Sequence, residues 1–141
     1  MKKIDSCLLT HLTACMVRLT STFKVEKVMT KNYIIRKLSE VEEDRSTCGF
    51  RKRLITREDT EVGSVSYLNI SDAQKHYHKQ TSEFYYVVRG SGIMELNDDK
   101  VEISEGVTVF IPPGVRHRVI GDVATLVICI PAFEKEDQFY D

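Results

Sequence analysis

Two histidines separated by one residue, His76 and His78, are the first residues in this chain with the types and spacing for chemistry. On a β-strand, residues i and i+2 point to the same face, so the two imidazoles would project together as nitrogen ligands. Glu83 follows a short polar loop and opens the next strand, where its carboxylate can return to the same point. His117 lies just after Pro112-Pro113-Gly114 and can supply a third imidazole from a second strand pair. We therefore predict one metal site formed by these four residues.

The ligand types restrict the metal without identifying it. Three imidazoles and one carboxylate suit zinc, iron, manganese, nickel or cobalt, so we expect one divalent transition metal. An octahedral ion would keep two positions open for water or substrate. Taken singly, each residue has a structural explanation: a lone histidine, such as His11, is more often a satisfied surface or core residue than a ligand. The prediction depends on the combination of four residues.

Short strands separated by turns must position these ligands. The turn signals after Phe50 are Gly90-Ser91-Gly92, Asn97-Asp98-Asp99, Glu105-Gly106, Pro112-Pro113-Gly114 and Gly121-Asp122. The β-rich runs between them cover residues 64–70, 84–89, 93–96, 107–111, 115–120 and 124–130. Regularly spaced short strands with glycine and proline turns predict an all-β sandwich or barrel.

The N-terminal part gives weaker signals. Residues 1–28 have no clear periodicity, so we expect a short N-terminal extension over residues 1–30 and a single domain over residues 31–141. A chain of 141 residues fits one domain with one core. Residues 33–38 could form a strand leading into the barrel, and the charged residues 39–47 are interpreted as a loop.

Composition excludes several partners. The formal net charge is −1, so no basic excess attracts a phosphate backbone, and we expect no nucleic-acid partner. No apolar run approaches the length that spans a bilayer, so we expect no membrane association. The cysteines, Cys7, Cys15, Cys48 and Cys129, form no C-x-x-C pair. They are interpreted as reduced thiols, which favours a cytoplasmic location.

The spacing of ligands and turns resembles the two signature motifs of the cupin superfamily. The first segment reads His76-Tyr77-His78, four residues, Glu83, six residues, Gly90. The second reads Gly106, five residues, Pro112, one residue, Gly114, two residues, His117, three residues, Gly121. Two non-ligand positions depart from the pattern, since Ile70 stands where glycine is usual and Gly121 where asparagine is usual.

The resemblance, which covers about residues 50–131, implies a jelly-roll β-barrel with the metal roles assigned above. Cupins include dioxygenases, sugar isomerases and epimerases, and decarboxylases. The chain is therefore expected to be a metalloenzyme acting on a small organic substrate, of the dioxygenase or of the sugar isomerase or epimerase type. The alternative is a non-catalytic, metal-dependent sensor or small-ligand-binding module. Small single-domain cupins typically pair through their sheets, so we expect a homodimer, and residues 33–38 offer an edge for exchange.

Alternation along the strands suggests what surrounds the metal. If Glu83 points inward, Tyr85 shares its face and is a candidate catalytic hydroxyl, although a core tyrosine bonded to a backbone acceptor would show the same pattern. Arg51 and Arg53 could present two guanidiniums to an anionic substrate, or they could form a solvated strand edge. The acidic and aromatic tail, residues 133–141, could fold over the barrel or extend into solvent.

Overall fold

The computed structural model describes residues 32–140, which form an all-β fold. The strands are β1 (Glu43–Ser46), β2 (Gly49–Ile55), β3 (Ser64–Asp72), β4 (Tyr77–His78), β5 (Ser82–Leu96), β6 (Asp99–Ser104), β7 (Thr108–Ile111), β8 (His117–Ile130) and β9 (Gln138–Phe139). Two 3-10 turns, Leu38–Glu40 and Lys135–Asp137, complete the described elements. Among these residues no helix is long and apolar enough to cross a membrane. The all-β class predicted from the sequence is confirmed.

The strands pair in one antiparallel sheet with the order β1-β2-β3-β8-β5-β6, and β7 pairs with β5. β4 and β9 form a separate two-stranded sheet. The two longest strands, β5 and β8, run side by side from Ser82↔Ile130 to Leu96↔His117. β5 also pairs with β7 along its first half and with β6 along its second half, so β5 and β8 connect all parts of the barrel.

Two predicted turns are bends inside long strands. Gly90-Ser91-Gly92 lies within β5 and Gly121-Asp122 within β8, where the two strands remain paired. A Cβ on Gly90 would lie 2.1 Å from the carbonyl oxygen of Asp122, and one on Gly92 would lie 2.4 Å from that of Ile120. Glycine is needed here because the backbones approach closely while both strands change direction.

The N-terminal part also differs from the sequence prediction. Residues 34–37 form no strand, and a 3-10 turn follows at Leu38–Glu40. Within the segment interpreted as a loop, Glu43–Ser46 forms β1 and pairs with β2, where Asp44 lies opposite Arg51. The extension predicted over residues 1–30 lies outside the described residues, as do His11, Cys7 and Cys15, so the domain boundary near residue 31 stays a prediction.

The barrel interior combines an apolar core with a polar end. Ile70, Val87, Met94, Ile111 and Val119 are each at most 2% exposed and belong to one core cluster. Burying a side chain of this size contributes roughly 1.5–3 kcal/mol, so this cluster stabilises the strands that carry it. The same inward faces of β5 and β8 also carry Glu83, which lies opposite Ile111, and His117, which lies two residues before Val119, and the candidate site lies there.

Candidate metal centre

The four residues predicted as ligands lie together in one buried cluster. His76, His78, Glu83 and His117 are 3%, 2%, 4% and 1% exposed, and their ligand atoms all lie within 4.8 Å of one another. Nε2 of His117 is 2.8 Å from Oε2 of Glu83, and Nε2 of His78 is 3.6 Å from Oε1 of the same carboxylate. The structure thus brings side chains from three strands and a connecting segment to one point.

Backbone pairing fixes the relative positions of the histidines. His76 and His117 form an isolated antiparallel bridge, in which each backbone N–H donates to the other residue's carbonyl, at 3.1 and 2.8 Å. The backbone N–H of Gly114 donates to the carbonyl of His78 at 2.6 Å. The turn at Pro112-Pro113-Gly114 therefore holds the His76–His78 segment as well as directing the chain toward His117.

All three imidazoles are held by the same kind of contact. Nδ1 of His76, His78 and His117 lies 2.8, 2.8 and 2.9 Å from the carbonyl oxygens of Gln74, Asp137 and Val115. A carbonyl oxygen only accepts hydrogen bonds, so each Nδ1 carries the proton and each Nε2 presents a lone pair. Metal-binding histidines are commonly oriented by such a contact from the other ring nitrogen.

The inward-facing atoms lack the partners that buried polar atoms normally have. Nε2 of His78, Nε2 of His117 and Oε2 of Glu83 are buried, and no residue of the described part forms a hydrogen bond to them. Nε2 of His117 and Oε2 of Glu83 are 2.8 Å apart, but with the His117 proton on Nδ1 neither atom carries a hydrogen to share. Each unsatisfied buried polar atom costs about 1–3 kcal/mol. A shared cation would satisfy all of them, so the donor set fits a divalent transition metal.

The protonation of the cluster also suits a cation. Burial, together with the neighbouring His117, lowers the pKa of His76 to about 4, so this imidazole is neutral at pH 7 and can act as a ligand. Burial alone would raise the pKa of Glu83, but the adjacent histidines outweigh it and the pKa is lowered. Glu83 is therefore ionised, and its one negative charge would leave a divalent ion net positive.

A cavity of about 1030 Å³ adjoins this cluster. His76, His78 and Glu83 form part of its wall, and the inward faces of β2, β3, β5 and β8 form much of the rest. Its volume is that of a small-molecule site. Ligand atoms on the wall of such a cavity are reachable by a bound molecule.

Tyr85, the candidate catalytic residue, lies beside the cluster. It lines the cavity, is 4% exposed, and its ring meets that of His117 edge-on at 6.1 Å between centroids. Its hydroxyl forms no hydrogen bond to the part of the chain that the structure describes, so the backbone acceptor of the alternative interpretation is absent there. Burial raises the pKa of Tyr85 well above its usual value, so the hydroxyl remains a proton donor at neutral pH.

Arg51 and Arg53 both line the cavity. They do not share the same surroundings, since 53% of the Arg53 side chain is exposed but only 15% of that of Arg51. The solvated-edge interpretation therefore describes Arg53 better than Arg51.

The tail contributes contacts that the sequence did not predict. The Asp137 carboxylate accepts hydrogen bonds from the backbone N–H groups of Lys79, Gln80 and Thr81, with distances of 2.9–3.2 Å. Its own carbonyl accepts from Nδ1 of His78, and β9 pairs with β4. The tail is thus folded against the ligand segment, which settles the alternative that the sequence left open.

Cys129 also has a role beyond that of a small apolar residue. Its Sγ donates to Oε1 of Glu83 at 3.5 Å, and both residues are buried. Burial raises the pKa of Cys129 above its usual range, so the thiol keeps the proton that it donates. Neither Cys129 nor Cys48 is in a disulfide.

Three histidines and one glutamate on the inner wall of an antiparallel barrel define a protein with a candidate metal centre beside a small-molecule cavity. The sequence pattern of the family described as "Cupin domain" matches residues 69–131, which contain all four candidate ligands. The chain is therefore a small cupin-domain protein.

Relatives agree with this assignment. An uncharacterized protein of Methanocaldococcus jannaschii is 36% identical over 66 residues, which cover 44% of this chain and 53% of that protein. The chain thus matches about half the length of this curated relative. The crystal structure of a protein from Planctomyces limnophilus is similar with a TM-score of 0.72 and 30% identity, covering 77% of this chain and 96% of that one.

Two enzymes share the fold at lower identity. Pac13 from Streptomyces, described as a nucleoside dehydratase, is similar with a TM-score of 0.70 and 20% identity, over 77% of this chain and 91% of that one. Ectoine synthase from P. lautus is similar with a TM-score of 0.66 and 16% identity, over 76% and 88%. These likenesses confirm the predicted jelly-roll fold.

Proposed function

We propose that the chain is a metal-dependent enzyme that acts on a small organic molecule at a centre held by His76, His78, Glu83 and His117. The observation that carries the proposal is the position of these buried ligand atoms on the wall of a cavity of about 1030 Å³. When bound, a divalent metal supplies Lewis-acid polarisation of an oxygen atom or, if it is iron, redox chemistry. The enzymes with the same fold, a nucleoside dehydratase and an ectoine synthase, support a catalytic role.

The chain's own residues would bind and orient the substrate. The three imidazoles are fixed through Nδ1, so their Nε2 atoms are held in place before any ligand arrives. Tyr85 would donate a hydrogen bond to a substrate oxygen, because the residue lines the cavity and its hydroxyl remains protonated. Two reaction classes fit this arrangement: isomerisation or epimerisation of a sugar-like hydroxy-carbonyl compound with zinc or manganese, and oxygenation with iron.

Elemental analysis of protein purified without chelator tests the metal part of this proposal. We expect about one equivalent of a divalent transition metal. A metal present at 100 times its Kd stabilises the folded state by about 2.7 kcal/mol. For a domain of this size that corresponds to a Tm roughly 5–20 °C higher than after removal by chelator. Absence of bound metal after incubation with iron, manganese, zinc and nickel would contradict the proposal.

Turnover tests the enzymatic part. Metal-loaded protein is incubated with oxo-acids, sugar acids and ketose–aldose pairs, and conversion is followed by NMR. Calorimetry on the same panel measures binding with and without metal. Conversion that requires metal and falls in Tyr85→Phe supports the enzyme. Metal-dependent binding without conversion would instead favour a non-catalytic ligand-binding or sensor module.

We also propose a homodimer that pairs through an outward face of the sheet. Phe84, Tyr86 and Phe110 are 36%, 47% and 54% exposed, and the Phe84 and Phe110 rings lie 4.8 Å apart. Contiguous apolar surface of this kind is typical of interfaces. The edge expected at residues 33–38 is absent, because residues 34–37 form no strand. Light scattering at micromolar concentration should give a dimer mass that Phe110→Asp reduces, and a wild-type monomer would contradict this.

The cysteines support a cytoplasmic location as a further proposal. Cys48 and Cys129 are both buried free thiols, which is the usual state in a reducing compartment. Fractionation of the source cells with an antibody tests it, and recovery outside the cytoplasm would contradict it.

A further inference from the structure

The cavity-facing side of β2 carries charge. By alternation along the strand, Arg51, Arg53 and Ile55 line the cavity. Lys52 lies between the two arginines and faces outward, where its Nζ donates to the carbonyl of Leu38 at 3.2 Å. One strand thus presents two guanidiniums to the interior and an ammonium of the same sign to the exterior.

Arg51 is held in a fixed orientation by the neighbouring strand. Its Nε and Nη2 donate to the two carboxylate oxygens of Asp44, at 3.2 and 3.0 Å. The same carboxylate also accepts from Nη2 of Arg53 at 2.7 Å. The hydrogen bond from Arg51 lowers the pKa of Asp44, so the carboxylate that holds Arg51 remains ionised at neutral pH.

Arg51 and the metal-ligand cluster share a neighbour in Phe133. Its Cζ is 5.8 Å from the centre of the Phe133 ring, and that ring meets the His78 ring edge-on at 6.0 Å between centroids. Arg51 and Glu83 also act on a shared neighbour: burial is the main cause that raises the pKa of Cys48 to about 11, Glu83 acts in the same direction, and Thr47 and Arg51 oppose the shift. The guanidinium and the centre therefore face one cavity.

Within residues 32–140, Arg51 shares its carboxylate partner with a second guanidinium. Two guanidiniums share the single carboxylate of Asp44, whereas Arg57, which also lines the cavity, pairs with Glu134 and with Glu61. A guanidinium has five N–H donors, and only two of those of Arg51 bond to residues 32–140. The other three have no hydrogen-bond partner among these residues.

We propose that Arg51 binds the carboxylate of an organic acid whose other, oxygen-bearing end occupies the metal centre; this inference rests on the proposed function. A fixed guanidinium matches a carboxylate through paired N–H donors, and partial burial limits competition from water. Asp44 and Phe133 fix the position of the fork. The substrate class is thus a small acid with two binding ends, and Arg51 is its specificity-determining residue.

Matched pairs of 2-hydroxy acids test the inference by calorimetry on metal-loaded protein. Malate is compared with 2-hydroxybutyrate, and 2-hydroxyglutarate with 2-hydroxyvalerate, so each pair shares its metal-binding end and length but differs in the distal carboxylate. At least one diacid should bind about 10- to 100-fold more tightly than its partner. Arg51→Gln should abolish this preference while leaving the affinity for the monoacid unchanged.

Three controls separate the explanations. Lys52→Gln removes an equal charge from the outward face and should keep the preference. Arg51→Lys retains the charge without the forked guanidinium and should lose part of the preference for the diacid. It provides a second variant if Arg51→Gln does not fold. Metal content and Tm are measured for each variant. A diacid preference that is absent, or that survives in Arg51→Gln, overturns the inference but not the metal centre. No metal-dependent binding of any of the four acids also overturns the inference, whereas the metal centre is overturned only by the elemental analysis and the enzyme only by the turnover assays.

Discussion

Glu83 and His117 lie on the two longest strands of the barrel, whereas His76 and His78 lie on a segment with almost no strand pairing of its own. β5 and β8 pair from Ser82 to Leu96, while β4 is two residues long and pairs only with β9 among the described strands. The first pair of ligands is therefore positioned by the barrel wall. The second pair is positioned by a few hydrogen bonds: His76 exchanges two with the backbone of His117, and His78 donates one to the carbonyl of Asp137 in the tail.

The wall half depends on curvature. Glu83 pairs with Cys129 at one end of the β5–β8 ladder, and His117 pairs with Leu96 at the other. Thirteen residues of straight strand would span about 43 Å, yet the side chains of Glu83 and His117 lie 2.8 Å apart. The ladder must curl around the barrel to bring its ends together.

The support that the tail gives to the His76–His78 segment comes from one residue. Asp137 supports His78 through its carbonyl and the following loop through its carboxylate. The comparison therefore predicts two kinds of variant. Changes in the wall should alter folding and metal binding together, whereas changes in the tail should weaken metal binding in an intact barrel.

Loss of a ligand from either half should have the largest effect. His76→Ala removes a candidate ligand of the His76–His78 segment, and His117→Ala removes one carried by the barrel wall. Each substitution should remove most of the bound metal. Each leaves three ligands and a gap in a buried polar cluster. Elemental analysis measures the effect, and His11→Ala is the control that should retain metal. Full occupancy in the His76 and His117 variants would end the metal proposal.

The sequence predicted the residues of the candidate site, but it did not predict how the tail supports the His76–His78 segment. The spacing of the four candidate ligands and the Pro112-Pro113-Gly114 turn are local sequence patterns, so the candidate ligands and the all-β class could be predicted. The sequence did not predict that Gly90 and Gly121 lie at bends inside paired strands. A glycine permits a chain-reversing turn and a bend within a strand equally well, and only the pairing of the strands distinguishes the two structures. Asp137 contacts His78 across 59 residues and belongs to no periodic pattern, so nothing local marked it.

Asp137→Ala should give the next largest effect. It removes the acceptor for three backbone N–H groups in the loop between His78 and Glu83. Outer contacts to metal ligands are typically worth 10- to 100-fold in affinity, so we expect a loss of about that size, measured by competition with a chelator. Glu136→Gln is the control, an exposed neighbour with the same charge change. Because the Asp137 carbonyl that accepts from His78 remains in this variant, unaltered affinity would show that the carboxylate and the loop it holds are not needed to position the ligands.

Gly90→Ala and Gly106→Ala test the wall with a matched pair. Both glycines have positive φ, +87° and +84°, so alanine introduces similar backbone strain. Only at Gly90 would the new Cβ meet backbone, 2.1 Å from the carbonyl of Asp122, whereas at Gly106 it meets nothing within 4 Å. Gly90→Ala should therefore be less stable than Gly106→Ala by about 1–3 kcal/mol in denaturant unfolding, and should also bind metal more weakly. Equal stability of the two variants would show that the close approach of the backbones at Gly90 does not determine the stability of the barrel wall.

The smallest effect is expected at Cys129, where the wall touches a ligand directly. Its thiol donates to Oε1 of Glu83 at 3.5 Å, and such weak hydrogen bonds contribute roughly 0.5–1 kcal/mol, or about two- to fivefold in affinity. Cys129→Ala should weaken metal binding by that factor, whereas Cys129→Ser, which keeps a donor, should remain near wild type. Cys48→Ala is the control, because this buried thiol lines the same cavity and contacts Thr47 instead of Glu83. Chelator competition that finds the serine and alanine variants equally weak would mean that the volume of the sulfur, and not its proton, positions Glu83.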